Sequence, residues 1–198
     1  QQWRNQPVGR DRGMALEESQ SLLFEMIISR NRPFLSWLRG LLEKHFAVSG
    51  PEWEVENLYR LLTGVRRSLI RVEADELTYP LHVMLRYGLE KDLLEGKLAV
   101  RDLPEAWNQG MADRLEVRPA NDTEGCLQDI HWAKGSFGYF PTYAIGGVIS
   151  AQLWESLRAR IPEVDTQIVA GDFNGITRWL GEQVHGHGAR LPLQELMK

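Results

Sequence analysis

The sequence predicts an all-α fold, and three observations carry that reading. Apolar residues return at a helical period in five separate segments. The gaps between those segments fall at Pro and Gly, the usual helix punctuation. A single stretch, Arg118 to Gly138, is rich enough in Gly, Asn, Asp and aromatics to be a long loop, and any β-structure is at most a short hairpin there.

Each element follows in order. Met14 to Ser29 carries Leu16, Leu22, Leu23, Met26 and Ile27 at helical spacing until Asn31-Arg32-Pro33 ends it. Phe34 to Phe46 repeats the pattern through Leu35, Leu38, Leu41 and Leu42, and Gly50-Pro51 breaks it. Val55 to Thr63 reads as a further helix. Asp75 to Leu94 is a long amphipathic segment in which Pro80 marks a kink or a late start. Leu103 to Leu115 is a helix opened by Pro104, Pro141 opens another to Arg160, and Val164 to Val184 reads as one more. His185-Gly-His-Gly188 ends that helix, and Leu193 to Lys198 begins the last.

Composition narrows the function classes. A chain of 198 residues with 43% hydrophobic and 25% charged residues has the make-up of a globular domain or a large lobe. A net charge of −4 lacks the basic stripe that nucleic-acid binding requires. Cys126 is the sole cysteine, so an internal disulfide is ruled out and a reducing, cytoplasmic compartment fits. No apolar run reaches membrane-spanning length, the first residues carry no secretory pattern, and a start at Gln1 reads as a fragment.

Several residues invite chemistry. Glu18 and Glu25 are seven apart, on one helical stripe with Leu22 between them. A carboxylate there is paired, hydrogen-bonded or metal-bound; helix statistics favour a salt-bridged edge. Arg71 either grips a ligand carboxylate with its planar fork or pairs internally with Glu73 or Asp75. Gln128, Asp129, His131, Tyr139 and Tyr143 are hydrogen-bonding candidates around the loop region, although a lone histidine beside tryptophan is more often structural. His185 and His187 form a weak metal pair and read better as a helix C-terminal cap.

Three segments, Ala15-Leu-Glu-Glu-Ser-Gln-Ser21, Ile70-Arg-Val-Glu-Ala-Asp75 and Gly125-Cys-Leu-Gln-Asp-Ile-His-Trp132, resemble in order the signatures of the thermostable carboxypeptidase (carboxypeptidase Taq) family. Glu76-Leu-Thr-Tyr-Pro-Leu-His82 and Phe137-Gly-Tyr-Phe-Pro-Thr-Tyr143 look like that family too, so the resemblance covers essentially the whole chain. It implies the C-terminal helical lobe of a zincin-like metallocarboxypeptidase over residues 1–198, cut at both ends. The implied reaction releases single residues from peptide C-termini, in a homodimer, with zinc or cobalt held by two histidines of HExxH and a later glutamate.

That glutamate matches Glu18, with Glu25 and Glu17 beside the metal site. Glu17 replaces the family's histidine, which adds negative charge there. HExxH is absent from the sequence and would fall ahead of Gln1. Within the matching motifs, Arg71 is expected to hold the substrate's terminal carboxylate, with Gln128 and Asp129 in the substrate site. His131, Tyr139 and Tyr143 are expected to stabilise the oxyanion or orient the peptide. The resemblance thus implies that Glu18, Arg71, His131 and Tyr139 converge on one cleft. It also implies that this chain alone is inactive without bound metal and exposes apolar surface that makes it self-associate. The competing reading is a non-catalytic helical interaction module descended from such a peptidase.

Overall fold

The structure, a computed structural model, describes residues 5–197; Lys198 and the first four residues lie outside it. The elements are α1 (Met14–Leu22), continued by a π-helical turn (Leu23–Ile28), then α2 (Arg32–Phe46), α3 (Val55–Leu62) and α4 (Tyr79–Leu94). There follow α5 (Leu103–Leu115), α6 (Phe140–Arg160), α7 (Val164–Val169), α8 (Asn174–Gln183) and α9 (Leu193–Leu196). No strand occurs among the described residues. None of their helices is long and apolar enough to cross a membrane.

The chain divides into two compact units, one built from the chain up to Thr63 and again from Ile145, the other Gly64–Ala144. In the first, Leu16, Leu23, Ile28, Ile149, Leu153, Leu157, Val164, Ile168, Ile176 and Leu180 form one apolar core. There α2 packs on α7 and α3. In the second, Leu85, Leu89, Trp107, Met111, Leu115 and Cys126 join α4 to α5. Gly110 makes that contact close, because a Cβ at that position would lie 2.2 Å from Leu85 Cδ1. Large apolar side chains also stand in solvent on each unit, Phe46 and Leu61 on the first and Val72 and Leu127 on the second.

Several boundaries differ from the sequence reading, each for a local reason. The first helix does not stay α-helical to Ser29. Its last turn is π, with Ser29 N–H bonded to Phe24 O at 2.8 Å, and the extra residue turns the stripe. Leu22 and Leu23 are both buried, Glu18 is half-buried and Glu25 is exposed. Asn31 begins α2 by accepting the Phe34 N–H at 2.8 Å, so Pro33 sits in a first turn, where its missing N–H costs nothing. Pro80 does the same for α4, which starts at Tyr79 and not at Asp75.

Arg118 to Gly138 is closed by turns and a 3-10 turn at Trp132–Lys134, with no hairpin. His185 and His187 do not cap α8. His185 meets the Gln20 side chain, and His187 Nδ1 meets Arg190 at 2.8 Å. Nor is Val164 to Val184 one helix, since it breaks at Gly171, whose φ of +73° suits glycine. After the break, Asp172 Oδ1 accepts the Asn174 N–H at 3.0 Å and starts α8.

Gly171 has a second constraint, because a Cβ there would lie 2.4 Å from Trp37 Nε1. Trp37 in turn stacks edge-on with Phe34 and Phe173. Gly171→Ala therefore combines left-handed strain with overpacking and is expected to destabilise the chain by about 2 kcal/mol or more. Thermal unfolding followed by circular dichroism checks this; an unchanged midpoint would show that the Trp37 contact does not constrain the turn.

Candidate active site

In the second unit, α4 carries His82, Arg86 and Glu90 at intervals of four, which places them on one stripe. His82 and Arg86 are fully buried and Glu90 is 4% exposed. Buried charges need partners, and α4 finds them in the two sequence motifs on either side.

Asp129 is the centre. Its Oδ2 accepts from Arg86 Nε at 2.5 Å, and its Oδ1 accepts from Arg71 Nε at 3.1 Å and from an Arg71 terminal nitrogen at 2.7 Å. Gln128 Oε1 joins the same two residues, accepting from Arg86 at 2.7 Å and from the Arg71 backbone N–H at 2.9 Å. Gln128 Nε2 donates to the carbonyls of Leu69, Glu124 and Gly125, which fixes the amide's orientation. Arg71 also donates to the Tyr79 hydroxyl at 2.9 Å, and Arg86 to the His82 carbonyl at 3.0 Å.

The electrostatics follow from this packing. Burial would raise the Asp129 pKa, but attraction and hydrogen bonds from Arg86 and Arg71 outweigh it and hold the carboxyl below its usual range. Burial would lower the Arg71 pKa, but its hydrogen bonds to Asp129 and the Asp129 charge hold it above the ordinary value. Burial pushes Arg86 down to about 10 despite Asp129. Asp75 satisfies its carboxylate locally, on the Arg66, Leu77 and Thr78 N–H groups and the Thr78 hydroxyl, and stays below its usual range although burial opposes it. Neither alternative partner suggested by spacing, Glu73 or Asp75, is the one Arg71 takes; it pairs with Asp129.

His131 lies beside this cluster. Its Nε2 is 3.1 Å from the Tyr143 hydroxyl and its Nδ1 is 3.7 Å from Asp129 Oδ1. Its ring packs on Phe140 with centroids 4.4 Å apart and on Tyr139 at 5.3 Å. Arg71 stands 4.9 Å over the Tyr143 ring, a cation–π distance. Glu90 pins the flanks of this aromatic group, accepting from Trp132 Nε1 at 2.6 Å and from the Gly138 N–H at 2.5 Å. Arg71, Gln128, Asp129, His131, Tyr139 and Tyr143 thus form one cluster within the second unit. Sequence reading missed His82, Arg86 and Glu90. The signal was their spacing of four within an amphipathic helix next to the Gln-Asp-x-His-Trp motif.

Glu17, Glu18 and Glu25 belong to the first unit. Glu18 is half-buried and its Oε2 accepts from the Ser21 hydroxyl at 3.1 Å. Gly146 of α6 makes room for this turn of α1, since a Cβ there would lie 3.2 Å from Glu18 Cβ, Ala15 O and Ser19 N. Ser19 is buried and bonds back to Leu16 O at 2.6 Å. Glu17 and Glu25 are exposed. The described residues hold no group of three His, Cys, Asp or Glu placed to bind a metal ion.

Comparison with known proteins names the family of this helical chain. Residues 1–198 match the family model of the carboxypeptidase Taq (M32) metallopeptidases, and the chain belongs to that family. Carboxypeptidase 1 of Bacillus subtilis is 42% identical over 185 residues, 93% of this chain and 37% of that protein. Thermostable carboxypeptidase 1 of Pyrococcus furiosus is 38% identical over 192 residues, 97% of this chain and 38% of that protein. Among solved structures, the crystal structure of BsuCP superposes with a TM-score of 0.91 at 40% identity, covering 98% of this chain and 39% of that one. Trypanosoma cruzi metallocarboxypeptidase 1 superposes at 0.88 and 42% identity, covering 97% and 40%. The chain spans about 37% of the length of the first of these relatives.

His82 gives the cluster a pH signature. Neither ring nitrogen has a hydrogen-bond partner. Burial first, then repulsion from Arg86 and Arg71, pushes its pKa down from 6.5 to about 4, against attraction from Asp129 and Asp75. Between those values the unfolded chain binds a proton that the folded chain does not. This contribution to stability is therefore fully present above pH ~6.5 and lost as pH falls toward ~4, on the order of 2–3 kcal/mol. Asp129 and Asp75, whose pKa values are lowered, lose their contributions at more acid pH. Urea midpoints are expected to fall between pH 7 and 4.5, and His82→Leu is expected to flatten that slope; an equally steep slope in the variant would remove His82 as its source.

Proposed function

We propose that this chain supplies the carboxylate-binding side of a metal-dependent carboxypeptidase that releases single residues from peptide C-termini. The observation that supports it is a charge imbalance. Arg71 and Arg86 share one carboxylate, Asp129, so the contact cluster carries one more positive than negative charge. A buried surplus cation calls for an anion. Arg86 is fully buried, whereas Arg71 reaches solvent at 5% exposure. Asp129 and Tyr79 take three of the five N–H groups of Arg71, and those left suit the planar, two-pronged recognition of a carboxylate.

In this reading Arg71 holds the substrate's terminal carboxylate, and Gln128 and Asp129 hold Arg71. His131 and Tyr139, with Tyr143 behind them, orient the peptide or stabilise charge at the reacting carbonyl. Glu18 is proposed as one ligand of zinc or cobalt, with Glu17 and Glu25 near it along the same stretch of chain. A catalytic zinc takes three protein ligands, and the described residues alone do not fit such a site. Further ligands would have to come from outside them. The enzyme is proposed to act as a cytoplasmic homodimer, the buried free Cys126 being consistent with a reducing compartment.

In the complete enzyme, Arg71→Ala is expected to lower kcat/KM on peptides with a free C-terminus about 100-fold, the size of a lost charged hydrogen-bond pair, with metal content unchanged. Unaltered kcat/KM would overturn the assignment. This chain by itself is expected to hydrolyse no peptide and to retain no stoichiometric zinc after dialysis, measured by atomic absorption.

A further inference from the structure

We infer that Arg86 is a positioning residue of the carboxylate site: by taking one oxygen of Asp129 and sharing Gln128 Oε1, it keeps Arg71 in place and leaves it net positive. This deepens the carboxypeptidase reading and rests on it. Arg86 touches no solvent, so it cannot itself meet a peptide. Its contacts are all internal: Asp129 Oδ2 at 2.5 Å, Gln128 Oε1 at 2.7 Å and the His82 carbonyl at 3.0 Å. Its guanidinium also lies 4.5 Å over the Trp107 ring and 5.6 Å from that of Phe140. The planar fork is therefore held by hydrogen bonds along its edges and lies close to two aromatic rings.

Two of these contacts reach Arg71 at one remove. Gln128 Oε1 accepts from Arg86 and from the Arg71 backbone N–H, so Arg86 helps fix the Arg71 main chain. Asp129 turns one oxygen to each arginine, so Arg86 anchors the carboxylate whose other oxygen the Arg71 fork grips. The charge argument is independent of that geometry. Without Arg86, Asp129 and Arg71 would form a neutral pair, and the pull on an incoming carboxylate would fall. Two arginines on one aspartate leave a positive charge that a second anion would balance.

The test uses the complete enzyme and an N-acylated dipeptide with a free C-terminal carboxylate, with the carboxamide of the same dipeptide as competitor. Arg86→Gln is expected to raise KM on the order of 10- to 100-fold with kcat within about threefold, and to erase the preference for carboxylate over carboxamide. Arg86→Lys keeps the positive charge beside Asp129 and is expected to raise KM less than Arg86→Gln and to retain the preference for carboxylate. It decides the matter if Arg86→Gln does not fold. A folded Arg86→Gln enzyme with wild-type KM and preference, or a folded Arg86→Lys enzyme that has lost the preference, overturns the inference. Wild-type enzyme that does not cleave the dipeptide defeats the carboxypeptidase reading itself. Loss of the carboxylate preference in Arg71→Ala, with the preference kept in Arg86→Gln, defeats only the role given to Arg86.

Discussion

The carboxylate of Asp129, divided between two arginines, is the interaction on which the second unit's organisation depends. It ties the Ile70–Asp75 segment to the Gly125–Trp132 segment and both to α4, across 58 residues of sequence for Arg71 and 43 for Arg86. A buried carboxylate without those donors would be among the most unfavourable groups in the fold. With them it is held ionised and sets the direction of the Arg71 fork. Removing Asp129 would strand two buried cations, whereas removing either arginine would leave the other paired with the carboxylate.

The rest of α4 extends the same logic. Four residues beyond Arg86, Glu90 accepts from Trp132 and Gly138 and so brackets the chain that carries His131. Four residues before it, His82 remains buried with no hydrogen-bond partner, kept neutral first by burial and then by two neighbouring cations. The apolar side of the helix, Leu85 and Leu89, packs on α5 through the gap that Gly110 leaves. One helix thus has two buried faces, an apolar one that holds the unit together and a charged one that places the site.

In the first unit the controlling feature is steric. Gly146 lets α6 approach α1 at Glu18, and a π turn follows Leu22. Glu18, the proposed metal ligand, sits in that packing with the Ser21 hydroxyl donating to its Oε2.

By itself the sequence determined the all-α class, the extent of α5, and the two motifs that carry Arg71 and His131. These rest on helical periodicity and proline stereochemistry, which act over a few residues. It also carried the family signature through Gln-Asp-x-His-Trp. Only the tertiary structure decided that Arg71 pairs with Asp129 and not with Glu73 or Asp75, and that Arg86 and Glu90 are buried on a helix whose pattern reads as half solvated. It alone decided that Val164 to Val184 breaks against Trp37. A charged residue on a helix is equally consistent with water and with a buried partner. That partner lies dozens of residues away, where no local pattern reaches.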